Sequence, residues 1–142
     1  MMKAAKTFPA EIPEIENVYA FISRIFSVGG IGINTVILFE MAVDEVFSNI
    51  VNHGLEESRC AVVVEVFIQI SGDVISITFK DNGKPFDPLS WSEPDISLGL
   101  SERPEGGLGI HIVKNSFDEV HYSFEKGLNV FTLKKRMERG VF

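Results

Sequence analysis

The chain has 142 residues, of which 45% are hydrophobic and 12 are phenylalanine, so it is long enough to bury a core as one domain over residues 1–142. Its 13 basic and 20 acidic side chains give a net charge of -7, which opposes a nucleic-acid partner because phosphates need a basic surface. The single cysteine excludes an internal disulfide framework and a cysteine-built zinc site. No leading apolar segment resembles a signal peptide and no apolar run is long enough to span a bilayer, so we expect a cytoplasmic protein without a membrane partner.

The first half of the chain predicts one strand and two helices. Residues 3–9 form a predicted edge strand that stops at Pro9, and apolar residues at helical spacing predict a helix from Glu11 to Phe26. A second helix is predicted from a cap at Asn34 or Thr35 to about residue 53, with Gly54 ending it in the left-handed conformation. The predicted core face of this second helix consists of Leu38, Phe39, Ala42, Val43, Val46, Phe47 and Ile50.

The second half changes to the two-residue period of strands. Residues 61–70 and 74–80 alternate apolar and polar positions around a Ser71-Gly72-Asp73 turn, which predicts a hairpin. A loop over 84–107, a helix over 108–117 and a hairpin over 119–135 that turns at Lys126-Gly127 complete the chain. This order predicts the α+β class: a two-layer α/β sandwich, with helices covering one face of a mixed, mostly antiparallel sheet.

The stretch EVFSNIVNHG (45–54) places Glu45, Asn49 and His53 at intervals of four on the second helix. Residues four apart lie on one face, so these side chains form a row beside the apolar stripe. A carboxylate can act as a general base, and an amide oxygen suits Mg²⁺. A solvated polar helix edge is the alternative interpretation of the row.

The stretch DNGKPFDP (81–88) directly follows a predicted strand. Asp81 at the strand end could accept a hydrogen bond from an amine such as that of adenine, and Gly83 would let the backbone approach a flat ring. An ordinary turn explains the same residues.

The stretch EGGLGIHIVKNSF (105–117) runs three glycines into an amphipathic helix. Free N–H groups at a helix start favour a phosphate. The spacing misses the third glycine of a Rossmann fingerprint, and no Walker pattern is present, while a structural glycine turn stays an alternative. The loop of about two dozen residues before this helix is unusually long for a compact domain, which favours a lid over a linker.

These three stretches, in this order and with a lid between the last two, resemble the boxes of the Bergerat-fold (GHKL, histidine-kinase-like) ATPases. Within these ATPases, VDEVFSNIVNHG and GGLGIHIVKNSFDEVHY are most similar to the anti-sigma-factor serine/threonine kinases. The resemblance implies that Glu45 is the catalytic base or orienting group and that Asn49 binds the Mg²⁺ of Mg-ATP. It further implies that Asp81 recognises the adenine amine above Gly83, and that His53 lies near the nucleotide.

The resemblance also implies that the backbone of Gly107, Leu108 and Gly109 donates to phosphate, after an ATP lid over about 84–107. Arg103 in the lid could reach the terminal phosphate, or could be a solvated loop arginine. Thr132 is the expected adenine-side contact on the last strand. The chain departs from histidine kinases, which often carry Gly-Thr near the last hairpin, since it contains Gly127-Leu-Asn129.

The activity implied is ATP-dependent serine/threonine phosphorylation of a STAS-domain anti-anti-sigma protein, with partner switching that controls transcription. A sigma factor and a homodimer are further partners that the resemblance suggests. The alternative is a partner-switching module that binds nucleotide but transfers nothing. The ATP-binding part of a histidine kinase is disfavoured because the chain has no dimerisation helix that carries a phosphoacceptor histidine.

Overall fold

An antiparallel sheet forms one layer of the fold and α-helices form the other, in a computed structural model that describes residues 1–54, 61–90 and 108–137. The five strands lie in the order β1-β2-β3-β5-β4. The described elements are β1 (Met2–Pro9), α1 (Ile15–Val28), α2 (Ile33–Gly54), β2 (Val63–Ser71), β3 (Val74–Asp81), α3 (Leu108–Ser116), β4 (Glu119–Glu125) and β5 (Leu128–Arg136). A 3₁₀ turn at Ile12–Glu14 precedes α1, and another follows β3 at Pro88–Ser90.

The predicted α+β class is confirmed, and β1 is the edge strand that the sequence predicts. Each described strand pairing, β1 with β2, β2 with β3, β3 with β5 and β5 with β4, is antiparallel. Both predicted hairpins are present. Gly72 turns the first with φ +61°, and Lys126 and Gly127 turn the second with φ 52° and 80°, which is the backbone that a tight two-residue hairpin needs.

The core lies between the helices and one face of the sheet. The alternation predicted for β2 and β3 is confirmed, since the inward residues Val64, Val66, Ile68, Ile75, Ile77 and Phe79 are fully buried. Edge-to-face aromatic contacts join the helices to one another. The ring of Phe39 on α2 lies 5.2 Å from that of Phe26 on α1 and 5.0 Å from that of Phe117, which follows α3. These contacts fix the three helices over the sheet.

Both predicted ends of α2 are wrong in detail. The helix begins at Ile33, and the carbonyl of Gly32 accepts from the N–H groups of Thr35 and Val36, so Asn34 and Thr35 lie inside the first turn and do not cap it. Gly54 is the last helical residue and does not have the positive φ expected of it. Its backbone instead lies against the loop after β3, which approaches it at Gly83.

The pairing register sets the position of the site. Asp81, the last residue of β3, lies opposite Asn129 of β5, and both side chains face the helices. The second half of α2 crosses this end of the sheet, and α3 packs beside α2. Three stretches distant in sequence therefore converge at one end of the molecule.

Candidate functional site

An open pocket lies between the second half of α2 and the adjoining ends of β3 and β5. The space between its walls is about 370 Å³, a figure that includes open solvent at its mouth. Its wall is mostly apolar, with a few polar groups that converge on it. The lining residues are Val46, Asn49, Ile50, Gly54, Asp81, Lys84, Phe86, Pro88, Tyr122, Asn129 and Phe131.

The row along α2 contacts a different part of the site at each position. Asn49 is buried and lines the pocket, and its amide lies 3.4 Å from the Oε1 atom of Glu45 one turn earlier. His53, one turn later, stacks on the ring of Phe86 with the centroids 4.0 Å apart. Phe86 lines the pocket, so His53 supports the pocket wall. Of the row, Asn49 therefore lines the pocket, while Glu45 and His53 contact residues that line it.

The carboxylate of Glu45 lies against Gly109, the second residue of α3. A Cβ atom added at Gly109 would overlap the carboxylate of Glu45, so only glycine allows this approach with the side chain where it is. Burial raises the pKa of Glu45, the hydrogen bond from Asn49 opposes this effect, and the charge of Asp44 adds to it. The contact brings the first and third sequence stretches together.

Asp81 is buried at the end of β3, with 5% of its surface exposed. Its Oδ1 atom accepts hydrogen bonds from the backbone N–H of Gly83 and from the amide of Asn129, each at 3.0 Å. Within residues 1–54, 61–90 and 108–137 no donor reaches Oδ2. Burial raises the pKa of Asp81, and these two hydrogen bonds work in the opposite direction.

The loop after β3 passes very close to the end of α2 at Gly83. A Cβ atom at Gly83 would lie 2.8 Å from the Cα atom of Gly54 and 3.0 Å from the Oδ1 atom of Asp81. The N–H of Lys84 also points at the carbonyl of Gly54, at 3.5 Å. Glycine at position 83 thus lets the loop pack directly on the helix.

Sequence reasoning missed Asn129, which has the largest number of polar contacts in the site. Its amide nitrogen donates to Asp81 and to the carbonyls of Gly83 and Lys84, and its oxygen accepts from Phe86 N–H and Tyr122 O–H. The signal was available in the strand pattern. In β5 the inward positions are 129, 131 and 133, so Asn129 is the polar residue on an otherwise apolar face.

Thr132, the predicted adenine-side contact, lies away from the pocket. The side chains of Thr132 and Asn129 project from opposite faces of the sheet. The hydroxyl of Thr132 lies 3.1 Å from the hydroxyl of Thr78 on β3. Leu108 and Gly109 begin α3 as predicted. The remaining predicted residues, Arg103 and Gly107, and most of the predicted lid lie outside the described residues.

The side chains that could hold a cation are few. In the described ranges no three histidine, cysteine, aspartate or glutamate side chains cluster as a metal site. Asn49 offers a neutral amide oxygen in the pocket wall, which suits a hard cation that keeps other oxygen ligands. No described helix is long and apolar enough to cross a membrane.

Residues 8–135 match the family described as the histidine kinase-like ATPase domain. The chain belongs to this family. The match covers all the described strands and helices that form the pocket, and it confirms the resemblance seen in the three sequence stretches. The α+β architecture is that of the GHKL ATPase fold.

Proteins named serine-protein kinase RsbW are among the relatives of this histidine kinase-like ATPase domain. Those of Staphylococcus aureus strains MSSA476 and JH9 are each 25% identical over 130 residues, which cover 89% of this chain and 82% of theirs. The resemblance to the anti-sigma-factor kinases is therefore confirmed at the level of sequence similarity.

Two solved structures share the fold. The RsbU and RsbW domains of a Mycobacterium tuberculosis protein superpose with a TM-score of 0.68 at 16% identity, over 96% of this chain but only 32% of that one. The histidine kinase domain of a blue-light activated histidine kinase from Erythrobacter litoralis gives a TM-score of 0.54 at 17% identity, over 91% of this chain and 61% of that one. The chain thus spans about a third of the first structure, and both likenesses concern the fold.

Proposed function

We propose that this protein binds Mg-ATP in the pocket and transfers the γ-phosphoryl group to a serine or threonine of a partner protein. The observation that carries the proposal is the contact between the carboxylate of Glu45 and Gly109 at the start of α3. That contact places a carboxylate with a raised pKa at the start of α3, one helical turn from Asn49, which lines the pocket that also holds the buried Asp81. Relatives named serine-protein kinase support the same activity.

Adenine binding is assigned to the end of the pocket at Asp81. The Oδ1 atom of Asp81 already accepts two hydrogen bonds, so Oδ2 is the oxygen that would accept from the exocyclic amine. Val46, Ile50 and Phe131 supply apolar wall for a flat ring. Gly83 keeps the loop against α2 and so holds Asp81 in place.

Phosphate binding is assigned to the start of α3, where the first N–H groups of a helix have no partner within the helix. Leu108 and Gly109 lie there, and we include Gly107 and the lid residue Arg103 on the basis of the resemblance. The cation fits as Mg²⁺ held by the amide oxygen of Asn49, because Mg²⁺ usually takes one or two protein ligands together with phosphates and waters. When bound, it would neutralise charge on the phosphates.

Glu45 is assigned the role of base or orienting group for the attacking hydroxyl. The hydroxyl oxygen forms a bond to the γ-phosphorus, the bond to the β-phosphate oxygen breaks, ADP leaves, and Glu45 takes the hydroxyl proton. A carboxylate whose pKa is raised by burial is a better proton acceptor than an exposed one. Positioning supplies most of the remaining catalysis, because phosphoryl transfer needs little covalent help from the protein.

The proposed partner is a STAS-domain anti-anti-sigma protein. When this partner is not bound, the kinase is proposed to bind a sigma factor. A phosphoryl group added to the STAS protein would disrupt its interface with the kinase by charge and desolvation. The kinase released in this way could then bind the other partner. A single domain over 1–142, with a lid over about 84–107, a cytoplasmic location and a homodimer belong to the same proposal.

The test is incubation of the protein with labelled ATP, Mg²⁺ and the STAS protein encoded nearest to it, in wild type and Glu45→Ala. The proposal expects label on a serine or threonine of the partner, lost in the variant although ATP binding is retained. ATP binding without transfer to any STAS protein would overturn the kinase assignment and support a nucleotide-binding partner-switch module. Absence of ATP binding in the wild type would overturn the site itself.

A further inference from the structure

The side chain of Asn129 joins three parts of the site that are separate in the chain. It bonds to Asp81 at the end of β3, to the loop that follows it, and to Tyr122 on β4. It is itself buried, with 5% of its surface exposed. Although Asn129 lines the pocket, both polar atoms of its side chain are bonded to protein groups, so we expect it to act on a ligand through Asp81.

The chemistry of its neighbours fixes the orientation of the Asn129 amide. The carbonyl of Lys84, at 2.9 Å, can only accept, so the amide nitrogen must face it. The N–H of Phe86, at 3.1 Å, can only donate, so the amide oxygen must face that side. The Tyr122 hydroxyl donates to the same oxygen, and burial raises the pKa of Tyr122, which keeps this donor protonated. The reverse orientation would place the amide oxygen against the acceptors Asp81, Gly83 and Lys84, and the amide nitrogen against the Phe86 N–H.

This orientation determines how Asp81 presents its carboxylate. The amide nitrogen of Asn129 and the N–H of Gly83 both donate to Oδ1. Two donors on one oxygen hold the carboxylate in a single orientation and stabilise its ionised form. The other oxygen, Oδ2, then faces the base only as an acceptor.

We propose that Asn129, held by Tyr122, is a positioning residue that makes the site select 6-amino purine nucleotides over 6-oxo purine nucleotides. The inference rests on the proposed ATP site. An acceptor-only carboxylate attracts the amine of adenine and repels the carbonyl oxygen of hypoxanthine. Asn129 maintains that difference because it prevents Asp81 from turning or from presenting a proton to the base.

The test compares the dissociation constants of ATP and ITP, each with Mg²⁺, by isothermal titration calorimetry. The wild type should prefer ATP by at least about 10-fold, the worth of one hydrogen bond to a charged group. In Asn129→Asp the ATP preference should largely disappear, most completely at acid pH. A second carboxylate beside Asp81 raises the pKa of the pair, and a protonated carboxyl can donate to the 6-oxo group.

The matched control is Asn82→Asp, the same chemical change at the residue that directly follows Asp81. Asn82 is exposed and bonds to Val63 N–H and to the carbonyl of Ala61, not to Asp81, so its variant should keep the wild-type preference. Equal loss of the ATP preference in both variants would overturn the proposal, because a general effect of an added carboxylate near Asp81 would then explain the loss.

Tyr122→Phe keeps the proposal testable where Asn129→Asp fails to fold, as judged by circular dichroism. Loss of one neutral hydrogen bond to the Asn129 oxygen should lower the ATP preference by about 3-fold. Tyr19→Phe on α1, the other tyrosine of the chain, should leave the preference unchanged. An unchanged preference in Tyr122→Phe and in every folded Asn129 variant, with ATP still bound, overturns the positioning role alone. Failure of the wild type to bind ATP overturns the proposed function together with it.

Discussion

The close approach of Gly83 to Gly54 permits a sharp test of the packing at the site, because the two glycines tolerate a methyl group very differently. A Cβ atom at Gly83 would lie 2.8 Å from the Cα atom of Gly54 and 3.2 Å from its carbonyl oxygen. A Cβ atom at Gly54 would meet nothing nearer than 3.6 Å, which is ordinary van der Waals contact. Neither glycine has φ in the left-handed region, so the difference between the two substitutions is steric.

In Gly83→Ala the loop must move away from α2 by about 0.6 Å, from 2.8 Å to an ordinary 3.4 Å. Such overpacking against backbone costs about 1–3 kcal/mol. In Gly54→Ala the free energy of unfolding should stay unchanged or increase by up to about 1 kcal/mol, because alanine favours a helix more than glycine does. Urea unfolding followed by circular dichroism measures both.

Gly83→Ala should also weaken ATP binding, since the N–H of Gly83 donates to Asp81 and a methyl group would press on the same Oδ1 atom. Gly54→Ala should bind ATP as the wild type does. The reasoning is refuted if the two variants lose equal stability, or if Gly83→Ala unfolds at the wild-type urea concentration and binds ATP normally.

Four further predictions concern the charged groups of the site. In Asp81→Asn, calorimetry should show ATP affinity reduced by at least about 10-fold, since an amide N–H₂ would face the adenine amine. Folding raises the pKa of Asp81 above its ordinary value of 3.8. The free energy of unfolding of the wild type, measured relative to Asp81→Asn, should therefore fall as pH rises from 3.8 through the raised pKa. A constant difference in stability between the two proteins at all pH values would contradict this. In Gly109→Ala the new methyl group would displace the Glu45 carboxylate. The rate of phosphotransfer should then fall by about 100-fold while ATP affinity is retained. An unchanged rate would show that Glu45 does not take part in the reaction. The wild-type transfer rate should rise with pH through the raised pKa of Glu45, and the small residual rate of Glu45→Gln should lack that step.

Much of the fold could be predicted because burial leaves a periodic trace in the sequence. The inward positions of β2 and β3 alternate strictly, and the turn residues Gly72 and Gly127 adopt the positive φ that hairpins need. The row of Glu45, Asn49 and His53 was likewise predictable, since helix geometry alone places residues four apart on one face.

The errors have a common physical cause, which is contact between parts distant in sequence. Gly54 looks like a left-handed helix stop in its local context, whereas in the structure it ends α2 without a positive φ, and its backbone contacts the loop at Gly83. Thr132 was expected at the adenine through the resemblance, yet its position in β5 turns it to the opposite face of the sheet. Asn129 occupies the inward position, and only the pairing of β3 with β5 brings it to Asp81.

The most direct test of the account is a crystal structure of the protein with Mg²⁺ and a non-hydrolysable ATP analogue. We expect the adenine amine within hydrogen-bonding distance of the Oδ2 atom of Asp81, the cation on the amide oxygen of Asn49, and the terminal phosphate between Glu45 and the start of α3. A nucleotide bound elsewhere, or one whose base lies away from Asp81 in this pocket, would contradict it.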